Sequence, residues 1–197
     1  MTKRQLCEKC FRPIAVCYCK NLPVISNLWP VYILQHIRES KHPLSTTPIA
    51  QLGLKNCQLL AIKNPIDDNQ VETWLNQTPV LVYPSENSLP LESLEITLAT
   101  PLLFLDGTWR KTRRMIHESH YLSQLQKIHV SPTQPSCYKI RKAPNPNALS
   151  TLETIIHVLS FLEKKPDKYQ PLMETMELMI NKQIESMGRE VFEKNYK

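Results

Sequence analysis

From residue 31 onward the chain alternates five short apolar runs with segments of helical spacing, and that alternation leaves few folds open to it. The runs are Val31 to Gln35, Leu59 to Ile62, Val80 to Tyr83, Leu102 to Leu105 and Ile128 to Val130. Each is strand-sized and bounded by turn-forming residues. Between them, Thr47 followed by Pro48 reads as an N-cap with a first-turn proline, opening a helix to about Asn56. Further helices are predicted over Asn69 to Asn76, from Trp109 through Ile116, after Ser150, and from about Tyr169. In the last, Leu172, Met176, Ile180 and Ile184 recur every four positions, and Met173, Met176, Met179 and Met187 read as core filler. Strands alternating with helices predict an α/β domain with a mainly parallel sheet.

The 197 residues suit one compact domain with a small appendage. No stretch reaches the length of a membrane-spanning helix, and the N-terminus runs into cysteines instead of the apolar core of a signal peptide, so a cytoplasmic protein is expected. The net charge of +6 is segregated. Residues 1–63 carry 9 basic and 2 acidic side chains, residues 64–109 carry 7 acids and no Lys or Arg, and residues 110–145 return 8 basics against Glu118. A basic face with an acidic back points toward nucleic acid. Gly53, Gly107 and Gly188 are the only glycines, so neither a dinucleotide-binding loop nor a P-loop is present.

Cys7-x2-Cys10-x6-Cys17-x-Cys19 places four thiols within thirteen residues. A C-x-x-C knuckle brings two sulfurs to one tetrahedral ion, and Cys17 and Cys19 supply the other pair, which predicts structural zinc at residues 1–20. The segment has too few large apolar side chains to fold on burial alone, so metal binding supplies the missing free energy. Two disulfides are the competing reading, disfavoured in an intracellular chain. Lys3, Arg4, Lys9, Arg12 and Lys20 flank the thiols and can meet phosphates. Cys57 and Cys137 read as ordinary buried thiols.

The fourth run, Leu102 to Leu105, leads directly into Asp106-Gly107-Thr108-Trp109 and then Arg110, Lys111, Arg113 and Arg114. Ligands of open α/β sheets bind beyond the carboxyl ends of strands. An Asp there, followed by the residue that most readily takes positive φ, has the form of a strand-end site. Thr108 can cap the following helix and Trp109 offers a flat face to a base. Four cations in the first turns of a helix oppose its dipole, which makes sense if phosphates are their partners. The plainer reading is an Asp-Gly turn before a solvated basic helix.

Asp106-Gly107-Thr108-Trp109 resembles the D-x-T-W signature of the DTW-domain family, the tRNA-uridine aminocarboxypropyltransferases. The resemblance covers nearly the whole chain. The C-x-x-C…C-x-C module is similar to that of bacterial members, and Gln35-His36 with Glu39 and Thr46 resembles their H-P-x-E…N-T segment. Val82-Tyr83-Pro84-Ser85 resembles their second strand end, and Tyr138-x-Ile140-Arg141 with Leu149-Ser150-Thr151-Leu152-Glu153 their Y-x-[LI]-R…S-T-[LI]-E stretch. Ile37 stands where the family often has Pro, and Ser45 where it often has Asn.

The resemblance implies a SPOUT-like fold with a C-terminal trefoil knot, a zinc module at 1–20 and a DTW domain at 21–197. It implies S-adenosylmethionine held by loops without a glycine-rich turn, with Tyr83, Pro84, Ser85, Asp106, Gly107, Thr108, Trp109, Tyr138, Arg141, Ser150 and Thr151 as its wall. The reaction implied is transfer of the 3-amino-3-carboxypropyl group to N3 of a tRNA uridine, leaving methylthioadenosine. Asp106 is the candidate general base; the other reading makes it a structural ion-pair partner of Arg110 and Arg113. Arg110, Lys111, Arg113 and Arg114 are candidate tRNA contacts, and Arg141 a partner of the donor's carboxylate or of a phosphate. Ser150 and Glu153 have capping-box spacing, which gives Glu153 a structural role. His36 has two readings, near the ligands or structural, and His117 and His120 read as surface residues. A SPOUT-like methyltransferase and a non-catalytic zinc-bearing RNA-binding protein are the competing functions. Oligomeric state is left open, with a monomer sufficient.

Overall fold

A computed structural model of the chain describes residues 5–40, 42–63, 66, 68–131, 136–138 and 148–196. Its centre is a six-stranded sheet of β1 (Val31–His36), β2 (Cys57–Ile62), β3 (Val80–Val82), β4 (Leu89–Pro90), β5 (Leu102–Asp106) and β6 (Lys127–His129). The order across the sheet is β2-β1-β5-β3-β6-β4, with every pairing parallel. The helices are α1 (Ile37–Ser40), α2 (Thr47–Gly53), α3 (Asp68–Leu75), α4 (Trp109–Glu118), α5 (His120–Gln124), α6 (Thr151–Leu162), α7 (Gln170–Met187) and α8 (Arg189–Tyr196).

The apolar runs are continuous because the sheet is covered on both faces. Val31 and Ile33 of β1 join Leu102 and Phe104 of β5 in a core against Leu152, Ile155 and Leu159 of α6 and Leu172 and Met176 of α7. Tyr32 and Leu34 point the other way, with Leu81 and Leu103, onto Val71 of α3, Met115 of α4 and Leu122 of α5. The four-residue stripe of α7 is the reason that helix lies flat on the sheet: Leu172, Met176 and Ile180 are buried and Ile184 packs at the margin.

All five predicted strands form, each within two residues of its expected ends. The two-residue β4 was not expected, since a strand ending in proline has little ladder to build. Thr47 is the first residue of α2 and Thr46 its N-cap, one position earlier than the sequence suggests, because the Thr47 hydroxyl is committed to the Gln35 amide. Ser150 and Glu153 form the predicted capping box at the start of α6. The expected C-terminal trefoil knot includes the stretch from Tyr138 to Thr151, of which residues 139–147 lie outside the described residues.

The connector before β1 is pinned from beneath. Glu163, at the end of α6, is buried and accepts hydrogen bonds from the Leu28 N–H (2.9 Å), the Tyr169 hydroxyl (2.6 Å) and the Lys168 ammonium. Burial alone would raise its pKa, but these three donors together lower it. The Trp29 indole N–H closes the same region onto the Thr97 carbonyl at 3.1 Å.

Candidate functional site

β1 and β5 lie side by side, and the chain leaves them toward opposite halves of the sheet, β1 toward β2 and β5 toward β6. A crevice at the carboxyl ends of two such strands is where an open α/β sheet binds ligands. Register places Gln35 of β1 directly beside Asp106 of β5 at that point.

Asp106 is held from two sides. Its Oδ2 accepts from the Gln35 amide at 2.8 Å and its Oδ1 from the Thr151 hydroxyl at 2.6 Å. The Gln35 side chain is 2% exposed and shares its amide protons with Thr47 Oγ1 at 2.7 Å and Ser45 Oγ at 3.1 Å. A buried amide in an otherwise apolar strand needs partners of this kind. One carboxylate is thereby tied to three elements: β1, the 45–47 loop with α2, and the start of α6.

Two cavities meet beside it. The larger, about 640 Å³, opens beyond β3, β5 and β6 and is lined by Tyr83, Pro84, Trp109, His129, Leu149 and Thr151 among others. That volume lies inside the range of small-molecule sites, about 300–1,000 Å³. The edge-to-face pair Tyr83–Trp109, with ring centroids 5.8 Å apart, gives it an aromatic wall, and Trp109 is still 43% exposed. The smaller, about 270 Å³, is lined by Glu39, His42, Asp106, Thr108, Tyr138 and Ser150 among others. Gly107 and Thr151 line both.

Of the predicted wall, Tyr83, Pro84, Gly107, Trp109 and Thr151 face the larger cavity, and Asp106, Gly107, Thr108, Tyr138, Ser150 and Thr151 the smaller. Ser85 lies in neither; its N–H is spent on the Ser88 hydroxyl in an exposed turn. Arg141 lies outside the described residues. Thr108 caps α4 as expected, accepting from the Lys111 N–H. The Gly107 reading needs correction: the positive φ expected of it belongs to Gly188 alone among the glycines. A Cβ at Gly107 would sit 3.3 Å from Lys111 Cβ and 3.4 Å from Thr112 Cγ2, so glycine is there for close helix approach. The sequence reading gave no site role to Gln35, His129 or Thr154. Gln35 carried a signal, as a buried amide in the otherwise apolar run of β1.

The four basic residues separate into two kinds. Arg110 and Arg113 are exposed, and no ion pair involves them among the described residues. Lys111 is paired with Glu39 and Arg114 with Glu118 one turn along α4. His36 lies at the end of β1, where burial and then the nearby Lys111 hold its pKa down. Glu153 accepts from Ser136 and the Cys137 N–H as well as the Ser150 N–H, so it anchors the described end of the preceding loop. Cys137 itself is exposed and Cys57 half-buried; neither is the fully buried thiol expected.

At the other end, the sulfurs of Cys7, Cys10, Cys17 and Cys19 all lie within 4.8 Å of one another. The Cys7–Cys19 and Cys10–Cys17 separations are both 3.8 Å. Four sulfurs bound tetrahedrally at about 2.3 Å have edges of about 3.8 Å, so the cluster fits a single metal ion, and the spacing is far beyond a disulfide of about 2.05 Å. The backbone N–H groups of Cys10 and Lys9 bring the Cys7 thiol down to about 6, whereas burial pushes Cys10 and Cys19 up. Deprotonating all four sulfurs at this spacing would need a cation between them. The module is not a loose appendage: Cys10 and Tyr18 belong to the main core, and the Lys182 ammonium donates to the Cys17 carbonyl at 2.6 Å.

Residues 4–184 match the DTW domain family. The chain is 32% identical over 195 residues to the tRNA-uridine aminocarboxypropyltransferase 2 of Drosophila melanogaster, covering 93% of this chain and 77% of that protein. It is 26% identical over 206 residues to the Mus musculus protein of the same name, covering 98% and 68%. A third relative, tRNA-uridine aminocarboxypropyltransferase A of Arabidopsis thaliana, is 26% identical over 194 residues, covering 82% and 74%. No solved structure matches the chain.

Proposed function

The chain belongs to the DTW domain family, and on that premise we propose that it transfers the 3-amino-3-carboxypropyl group of S-adenosylmethionine to a uridine of tRNA. The family match over residues 4–184 carries the activity, and the paired cavities support a division of labour within it. The larger takes S-adenosylmethionine, its adenine against Tyr83 and Trp109. The smaller receives the uracil beside Asp106. Gly107 and Thr151 form the window through which the two substrates meet.

In the reaction, uridine N3 attacks the γ-carbon of the methionine arm. The γ-carbon–sulfur bond breaks with its electron pair going to sulfur, and methylthioadenosine leaves. The N3 proton passes to Asp106, held by Gln35 and Thr151 so that the carboxylate cannot turn away. Arg141 meets the donor's carboxylate or a phosphate. Residues 1–20 act as a structural zinc module and 21–197 as the catalytic domain, working in the cytoplasm; among the described residues no helix is long and apolar enough to cross a membrane.

The test is product analysis of purified protein with S-adenosylmethionine and unmodified tRNA. Methylthioadenosine, released one-for-one with aminocarboxypropyl uridine, is expected. S-Adenosylhomocysteine with methylated tRNA would make the chain a methyltransferase, and no product despite tRNA binding would leave it an RNA-binding protein.

Arg110 and Arg113 contribute phosphate contacts, whereas Lys111 and Arg114 are occupied by Glu39 and Glu118. Replacing both Arg110 and Arg113 with Gln is expected to weaken tRNA binding and to flatten its logarithmic salt dependence by about one unit per lost contact. Binding titrations over a range of salt read both; an unchanged slope places α4 away from the RNA.

A further inference from the structure

Phe11 directly follows the second cysteine of the knuckle and has φ 55°, a left-handed conformation that a bulky side chain adopts only at a cost. The knuckle imposes it: the Phe11 N–H donates to the Cys7 carbonyl at 2.9 Å, and the Cys7 N–H to the Arg12 carbonyl at 2.8 Å. Glycine would fit there without strain. Burial does not offset the strain either, since Phe11 is 76% exposed, the most exposed large apolar residue described. A fixed aromatic ring held in water at a cost to stability points to a partner.

Phe11 lines a groove of about 1,000 Å³ that the cysteine module shares with Ser40, His42, Pro43 and the end of α7. His42 also lines the smaller cavity that holds Asp106. His42 is therefore a wall common to the groove at Phe11 and to the chamber beside Asp106. Lys9 and Lys20 are exposed on the same module. An aromatic platform beside cations, at the mouth of a groove, is how proteins hold single-stranded nucleic acid.

We propose that Phe11 stacks on an unpaired tRNA base and that the groove carries the strand delivering the uridine to Asp106. The inference rests on the tRNA-modifying function proposed above. The test compares wild type with F11G and F11Y, using bulk tRNA. F11G relieves the backbone strain, so its melting temperature should equal or exceed that of wild type, which removes misfolding as an explanation. Its tRNA affinity should nonetheless fall by about five- to a hundred-fold, the range for loss of one base–aromatic stack. The salt slope should not change, because no phosphate contact is lost. F11Y, which keeps an aromatic ring, should bind within about two-fold of wild type. Equal tRNA affinity for F11G and wild type overturns the proposal. So does a change in sedimentation alone, which would make the exposed Leu6, Phe11 and Ile14 a contact between copies. A wild-type protein that binds tRNA through Phe11 but transfers nothing would sink the enzymatic reading and leave the stacking platform standing.

Discussion

Cys10→Ser should leave the protein without its metal, impair transfer by about a hundred-fold, and change affinity for S-adenosylmethionine by less than about two-fold. The first effect follows from chemistry: a tetrahedral thiolate site that loses one ligand of four, with its remaining sulfurs crowded, loses its hold on the ion. The second follows from what the module touches. Arg12 is buried at the edge of the module, 5.3 Å above the Tyr18 ring, and donates to the Pro43 carbonyl and, at 2.8 Å, to the Ser45 carbonyl. The Ser45 hydroxyl meets Thr47 at 2.9 Å and accepts from Gln35, whose amide orients Asp106. Releasing Arg12 loosens that chain, and misplacing a reacting group by about 1 Å costs on the order of a hundred-fold in rate. The third follows from distance in the fold, since the larger cavity is built from residues 82–154 without a contribution from the module. Metal analysis, single-turnover transfer and a donor-binding titration on one preparation decide it. Retention of one metal per chain would rule out the four-thiol site; donor affinity falling with the metal would mean that the module supports both cavities.

What the sequence revealed and what it hid divide along the range of the interactions. Strands and the α6 capping box were legible because periodicity and the Ser150-to-Glu153 spacing are local signals. The cluster of four cysteines was legible because the spacing Cys7-x2-Cys10-x6-Cys17-x-Cys19 is itself a short-range signal. The pairing of Lys111 with Glu39 was not, because those residues lie 72 positions apart and meet only once β1 and β5 are adjacent. Gln35 was read as part of a motif and given no task; its role emerged when register placed it beside Asp106. Gly107 was read by its freedom of φ, whereas the constraint there is space, which a sequence does not display. The presence of two cavities, with Asp106 on the smaller, is likewise a product of packing, and it divides a site that the sequence presented as one.

That division sharpens what Asp106→Asn should do. Asp106 lines the smaller cavity, the one proposed for the acceptor, and not the larger, so the variant should bind S-adenosylmethionine with nearly unchanged affinity. Transfer should fall by a hundred- to ten-thousand-fold or so, the usual weight of a general base, and the loss should sit in the rate constant at saturating substrates. Uridine N3 is almost wholly protonated near neutral pH, so without a base it attacks slowly even when docked. The substitution also has a structural side. Both oxygens of Asp106 accept, one from Gln35 and one from Thr151, whereas Asn offers one oxygen and one donor. The Thr151 hydroxyl can rotate to accept, so the cost in stability should be about 1 kcal/mol, the value of one ordinary hydrogen bond. Thr151→Val provides the contrast: it removes the hydroxyl that orients the carboxylate while keeping the base, and should lower the rate far less than Asp106→Asn. Single-turnover transfer across pH, beside a melting curve and a donor titration, separates the roles. If transfer by the Asn variant stays near wild type, Asp106 is not the base. If its rate loss is matched by a comparable loss in melting temperature or donor affinity, the carboxylate is there to hold β1, β5 and α6 together.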